Sequence, residues 1–217
     1  MSDPISLELV DADGAIREAD DQVAGDTRAD FFRKAAVGGG VLLGGSVLMS
    51  GFPALAAAKP SKKQDVKILN YALTLEYLEN AFYVEALAKA GLSGDALRAA
   101  QVIQSHEAAH VAFLKKALGK AAVKKPKFDF GDATANQANF LATAVVLEDT
   151  GVAAYAGQGP RLSQKPVVKA ALSIHSVEAR HAAFVRELAG QSFAPKAFDK
   201  PLAMGPVLKR ATPFIAK

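Results

Sequence analysis

Six acidic and imidazole side chains at regular spacing are the residues of this sequence that could carry chemistry. They form two Glu-x-x-His motifs and two single glutamates, each on an otherwise apolar helical pattern: Glu76, Glu107, His110, Glu148, Glu178 and His181. Spacings of three and four place them on the buried faces of their helices. Buried carboxylates need counter-charges, and no Lys or Arg lies on the same faces. Two divalent cations would balance the four carboxylates, with the imidazoles as neutral nitrogen ligands.

The motifs belong to an internal repeat. Corresponding residues of its two halves lie 71 or 72 positions apart, and the pairs are Glu76 and Glu148, Glu107 and Glu178, His110 and His181, and Tyr83 and Tyr155. Such a repeat predicts a pseudo-twofold axis with the ligands around one centre. One glutamate from each of two helices and Glu-x-x-His from each of the other two is the ligand set of dimetal carboxylate bundles. The alternative is a repeat that kept its polar core and lost its metal.

Neighbouring side chains leave further alternatives at the centre. Glu79 lies three positions after Glu76 and competes with it as a ligand, but the repeat partner of Glu79 is Gly151, which favours Glu76. Tyr83 and Tyr155 are interpreted as catalytic tyrosines that hydrogen-bond the opposing carboxylates, and plain core aromatics are the alternative.

Two histidines stand outside the repeat, because His106 and His175 do not match each other across it. His175 lies one turn before Glu178, so a contact behind the ligands is one interpretation and a surface or packing role is the favoured one.

Four long helical segments must position these residues. Apolar periodicity, capping residues and terminal glycines predict helices over about 64–90, 93–118, 132–156 and 163–189. The connections are short, long and short, which is typical of two antiparallel hairpins joined by a crossover. We therefore predict an all-α fold, a four-helix bundle over residues 64–190. The Pro- and Phe-rich residues 191–217 are expected to form an extended tail packed on the bundle surface.

The first part of the chain has a different character. Residues 1–34 are predicted to be a disordered acidic arm with a basic end, since residues 1–30 contain nine acidic and two basic residues. Residues 35–58 are apolar and end in small residues, as an export signal does. The segment resembles a twin-arginine signal, which implies a periplasmic or extracellular location. A cytoplasmic location is the alternative, because Ala29 stands where the second arginine would be.

Composition excludes several classes of function. The chain has no cysteine, so disulfides, zinc fingers, iron–sulfur clusters and thiol catalysis are excluded. It also has no tryptophan and only 7% aromatic residues, so a stacking surface for nucleic acid is not expected.

Four motifs together resemble the ferritin-like superfamily, and more narrowly the ferritin-like domain family that includes plant desiccation-related proteins and many bacterial exported proteins. They are LNYALTLEYLE at 69–79, HEAAHVAFL at 106–114, LEDTGVAAY at 147–155 and VEARHAA at 177–183. The resemblance covers about residues 65–190. It implies a ferritin-like four-helix bundle with two Fe or two Mn ions, and it supplies no substrate.

Three functions stay open on the sequence. The favoured one is a redox enzyme of peroxidase, catalase or ferroxidase type that consumes peroxide or O₂ in stress protection, similar to rubrerythrin or manganese catalase. The second is iron oxidation and storage, as in ferritins. The third is a non-enzymatic desiccation or stress protein with a structural or vestigial metal site. The expected partners are a small-molecule oxidant, a membrane in transient contact with the N-terminal segment, and a second copy of the chain in a homo-oligomer.

Overall fold

The helices found in the computed structural model, which describes residues 61–216, follow the predicted order. Its α-helices are α1 (Lys62–Lys89), α2 (Gly94–Leu118), α3 (Gln137–Gln158), α4 (Lys165–Leu188) and α5 (Met204–Ala211). No strand occurs between residues 61 and 216, where an isolated bridge joins Phe128 to Ile215. The predicted acidic arm (1–34) and signal-like segment (35–58) lie outside the described residues. Over the described range, no helix has both the length and the apolar character needed to cross a membrane.

The long helices pair as two hairpins. Helix α1 packs along α2 and α3 along α4, while α1 contacts α3 and α2 contacts α4 across the bundle. Short connections close each hairpin, and residues 119–136 join one hairpin to the other. The predicted all-α bundle of two hairpins and a crossover is thereby confirmed. Helix α3 begins later than expected, because Gly131–Thr134 forms a separate 3₁₀ turn before the Asn136 side chain caps the helix at Asn139 N.

Two apolar clusters lie on either side of the Glu-x-x-His motifs. On α2 the motif lies between Ile103 of one cluster and Leu114 of the other. On α4 it lies between Ile174 and Val185, which belong to the same two clusters in the opposite order. The reversed order follows from the pseudo-twofold repeat. Both motifs therefore lie at the middle of the bundle, with apolar packing above and below.

Hydrogen bonds between helix ends occur at corresponding positions in the two halves of the repeat. The buried Asp65 carboxylate accepts four of them, from Ser163 N (2.8 Å), Ser163 Oγ (2.8 Å), Gln164 N (3.1 Å) and Gln164 Nε2 (3.0 Å). In the other half, Gln137 Oε1 accepts from Ser93 N at 2.9 Å. Asp65 and Gln137 are 72 positions apart, and Ser93 and Gln164 are 71 apart. The start of one hairpin thus fixes the turn of the other.

The tail differs from the expectation, because part of it is helical. Helix α5 packs its buried Val207 and Ala211 on the bundle, where the sequence predicts extended chain. Pro206 is compatible with this helix because it occupies the first turn, where the missing N–H has no intrahelical partner to lose. Before α5, Leu202 N donates to Ala153 O at 3.0 Å and so holds the tail to α3.

The backbone of Leu202 also passes so close to Gly157 that no side chain fits at position 157. A Cβ at Gly157 would lie 1.9 Å from Leu202 O, a distance that atoms cannot adopt. We expect Gly157→Ala to displace the tail and lower the free energy of unfolding by about 1–3 kcal/mol in urea titrations. The control is Gly159→Ala, where a Cβ meets nothing within 4 Å. Equal stability of the two variants would contradict the observed packing.

Asp65 predicts an acid-dependent contribution to stability. Burial works to raise the pKa of this carboxyl, but the hydrogen bonds from Ser163 and Gln164 outweigh it and the pKa lies below its ordinary value. Its stabilisation is therefore complete above about pH 5 and is lost as the pH falls through the lowered folded-state pKa. At pH 7 we expect Asp65→Asn to cost about 1–3 kcal/mol in urea unfolding, and less at pH 3.

The control for this change is Asp95→Asn, because Asp95 lies on the surface, where it pairs with Arg98 at 2.8 Å. We expect it to change the unfolding free energy by less than about 1 kcal/mol. An Asp65→Asn effect of the same size at pH 3 and pH 7 would argue against a charged carboxylate at this position.

Candidate metal centre

The structure brings all six predicted ligand residues together in the middle of the bundle. They fall into two overlapping groups, in each of which the ligand atoms lie within 4.8 Å of one another. The first, here the His110 group, consists of Glu76, Glu107, His110 and Glu178; the second, the His181 group, consists of Glu107, Glu148, Glu178 and His181. Glu107 and Glu178 belong to both groups, one from each Glu-x-x-His motif. The pseudo-twofold repeat exchanges the two groups.

In the His110 group, the imidazole faces three carboxylates. His110 Nδ1 lies 3.2 Å from Glu76 Oε2, 3.2 Å from Glu107 Oε2 and 3.1 Å from Glu178 Oε1. Glu76 comes from α1, Glu107 and His110 from α2, and Glu178 from α4. Three helices therefore supply this group.

The His181 group has the corresponding geometry. His181 Nδ1 lies 3.1 Å from Glu107 Oε1, 3.4 Å from Glu148 Oε2 and 3.9 Å from Glu178 Oε2. The two oxygens of Glu107, like those of Glu178, face different histidines. A carboxylate arranged in this way can bridge two cations, one in each group.

The burial and the hydrogen bonding of the donor atoms show whether metal ions fit this centre. All four glutamates are at most 1% exposed, and several of their oxygens have no hydrogen-bond partner within residues 61–216: Glu107 Oε1, Glu148 Oε2 and both oxygens of Glu178. His181 Nδ1 is likewise without a hydrogen bond in this part of the chain. Buried polar atoms are rarely left unpaired, since each costs about 1–3 kcal/mol. Oxygen and imidazole ligands around a shared carboxylate pair fit ions such as Fe or Mn.

Two tyrosines tie the ligands across the bundle. Tyr83 OH donates to Glu148 Oε1 at 2.5 Å, and Tyr155 OH donates to Glu76 Oε1 at 2.5 Å. Burial, reinforced by the neighbouring carboxylates, raises the pKa of both phenols well above the ordinary value. Each tyrosine thus keeps its proton and orients a carboxylate of the opposite hairpin. Their catalytic role stays a prediction.

Burial and mutual repulsion shape the electrostatics of the carboxylates. Burial and the charge of Glu107 raise the pKa of Glu76 well above its usual range. Burial also raises the pKa of Glu148 to about 8. Glu107 behaves in the opposite way: burial works to raise its pKa, but the neighbouring imidazoles of His110 and His181 outweigh this and hold it at about 2. The protein concentrates negative charge on a carboxylate shared by both groups.

The pKa values of the two ligand histidines are raised by the same cluster of carboxylates. Burial works to lower the pKa of His110 and His181, but the glutamate oxygens close to each Nδ1 outweigh it and raise both to about 12. Without a metal, the two imidazoles are therefore the positive charges of the cluster.

A fifth carboxylate lies against the centre without joining either group. Glu79 is 3% exposed. A Cβ built on Gly151 would lie 3.1 Å from Glu79 Oε1 and 3.3 Å from Glu178 Oε2. The repeat partner of Glu79 is thus a glycine because a side chain there would crowd both carboxylates. The glycine in the repeat is the sequence signal for this arrangement.

Sequence reasoning missed the contact made by His106. Its Nδ1 lies 2.9 Å from His181 Nε2, and the two rings stack with centroids 5.2 Å apart at 17°. The sequence pattern shows only that His106 does not match across the repeat, and it assigns this residue no role. His175, the other unmatched histidine, stays outside both groups, and its buried Nε2 has no hydrogen bond within residues 61–216.

Comparison with known proteins agrees with this geometry. Among curated proteins no match to the chain is found. A family model described as ferritin-like domain matches residues 64–191, which is more than half of the chain and contains all six ligand residues. The chain therefore belongs to the ferritin-like domain family.

Proposed function

We propose that this protein holds two Fe or two Mn ions and acts on peroxide or O₂ in stress protection. The observation that carries the proposal is the pair of overlapping ligand groups that share Glu107 and Glu178, with buried donor atoms left unpaired in both. A polar core that had lost its metal would be expected to pair these atoms within the protein. Membership of the ferritin-like family supports the same conclusion.

Each ion would be held by one histidine, one glutamate of its own and the two shared glutamates. When bound, an Fe or Mn pair supplies the electron-transfer steps that reduction or disproportionation of peroxide requires. The chain supplies the rest: it orients the ligands from four helices, excludes water with the apolar clusters on both sides, and keeps protons on Tyr83 and Tyr155. These phenols donate hydrogen bonds to the carboxylates of Glu148 and Glu76. With no cysteine in the chain, electrons come from an external donor, or peroxide itself is disproportionated.

The proposal extends to location. The basic, apolar and small-residue order of residues 27–58 supports export to the periplasm or the extracellular space. Within the ferritin-like family, the branch that includes desiccation-related proteins is the one whose motifs this chain resembles.

Metal content tests the centre directly. Protein purified without chelator, or loaded anaerobically with Fe²⁺ or Mn²⁺, is expected to contain about two ions per chain by elemental analysis, as the two-group geometry requires. The double variant Glu107→Gln/Glu178→Gln is expected to lose both ions, because it changes the two shared ligands. Glu76→Gln and Glu148→Gln are each expected to lose one.

The control variant is Glu85→Gln on the same helix as Glu76. Glu85 accepts a hydrogen bond from Thr134 Oγ1 and pairs with Lys89, outside both ligand groups. It should keep both ions. Absence of metal from wild-type protein after anaerobic loading would refute the dimetal proposal. Two bound ions without consumption of peroxide or O₂ would refute the redox activity and favour a structural centre.

The tyrosines give a separate prediction about activity. Tyr83→Phe and Tyr155→Phe remove a proton donor beside the centre but no ligand, so each should keep about two ions and slow oxidant consumption by about 10²-fold. Initial rates with peroxide, divided by metal content, measure this. The control is Tyr77→Phe, because Tyr77 is a buried aromatic of an apolar cluster. If the three variants behave alike, Tyr83 and Tyr155 are packing residues.

A further inference from the structure

We propose that His106 is a positioning residue that holds His181 from outside and makes the two metal positions unequal. The inference rests on the dimetal centre proposed above and goes beyond it. The repeat predicts two equivalent positions, whereas His106 acts on one of them.

The His181 ring is held from two sides. Its Nδ1 faces the carboxylates of its group, and its Nε2 lies 2.9 Å from His106 Nδ1. The two rings are nearly parallel, at 17°. His181 itself is 5% exposed, whereas His106 is a surface residue of α2. A surface imidazole therefore reaches a buried ligand through a single hydrogen bond.

This contact fixes which nitrogen carries each proton. A His181 whose Nδ1 binds a cation keeps its proton on Nε2, since a ligating nitrogen is unprotonated. Nε2–H then donates to His106 Nδ1, and the neutral His106 ring holds its own proton on Nε2. An outer acceptor of this kind fixes the tautomer and the orientation of the ligand and raises its basicity.

His110 has no hydrogen-bonding side chain at the position that corresponds to His106. The repeat partner of His106 is Val177, whose side chain has no hydrogen-bonding group. Across residues 61–216, the hydrogen bonds of the His110 ring are made by Nδ1, to Glu76 and Glu107, and none is made by Nε2. Within the described residues, His181 therefore has a hydrogen-bonding partner on Nε2, the nitrogen that faces away from the carboxylates, and His110 has none there. The His181 position should bind its ion more tightly than the His110 position.

The test is a titration of full-length protein with Co²⁺ against a competing chelator, followed by the visible spectrum. Wild-type protein should bind two Co²⁺ in two steps. His106→Ala should weaken one step by about 10- to 100-fold, the usual effect of removing an outer partner, and leave the other within about twofold. His106→Phe keeps a stacked ring without an acceptor and should behave as His106→Ala does.

Three comparisons assign the affected step. In a Glu148→Gln background, which disables the His181 position, His106→Ala should have no further effect. In a Glu76→Gln background, it should keep its full effect. Val177→His places an imidazole at the position that the repeat relates to His106, and should strengthen the weaker step. His175→Ala, a histidine outside both groups, is the matched control.

Tautomers give a readout independent of affinity. In protein loaded with diamagnetic Zn²⁺ and labelled with ¹⁵N-histidine, His106 Nδ1 should show the chemical shift of an unprotonated acceptor and Nε2 that of an N–H. A proton on His106 Nδ1, equal weakening of both Co²⁺ steps, or no weakening at all would overturn the proposal. Failure of wild-type protein to bind Co²⁺ would refute the dimetal centre, and the His106 proposal with it. Circular dichroism checks that each variant is folded.

Discussion

The constraint on which this structure depends is the burial of four carboxylates in an apolar bundle, where no Lys or Arg between residues 61 and 216 pairs with them. Glu76, Glu107, Glu148 and Glu178 are at most 1% exposed. An isolated buried carboxylate is costly, so the group must protonate, pair or bind a cation. Helix register, the hydrogen bonds from the tyrosines and the apolar packing above and below all serve to place these four groups around one point.

The internal repeat explains how a single chain builds such a centre, and its exceptions show where the two halves differ. It governs the ligands, the tyrosine hydrogen bonds and the hydrogen bonds at the helix ends. The repeat does not hold at Glu79, whose repeat partner is Gly151, or at His106, whose repeat partner is Val177. Both exceptions lie against the centre, and a difference beside the ligands makes two similar metal positions distinct. The departures from symmetry are therefore the most informative residues of the site.

The sequence predicts the helices and the ligand set because both follow from local periodicity. Every ligand lies on a buried helix face, where spacings of three and four are decisive. The contact of His106 cannot be predicted in this way, since a surface position on α2 reaches His181 only through the packing of α2 against α4. Helix α5 is not predicted, because the Pro- and Phe-rich composition of the tail indicates extended chain, whereas Pro206 occupies the first turn of a helix.

The histidines also explain how the bundle tolerates its centre before a metal binds. The glutamate oxygens close to their Nδ1 atoms raise the pKa of His110 and His181 to about 12, so both imidazoles favour the cationic form when no metal is bound. The same contacts hold the pKa of Glu107 at about 2, while burial raises the pKa of Glu76 above its usual range and that of Glu148 to about 8. Metal binding exchanges protons for cations at the same atoms. The histidines that would bind the cations thus also offset part of the buried negative charge when no metal is bound.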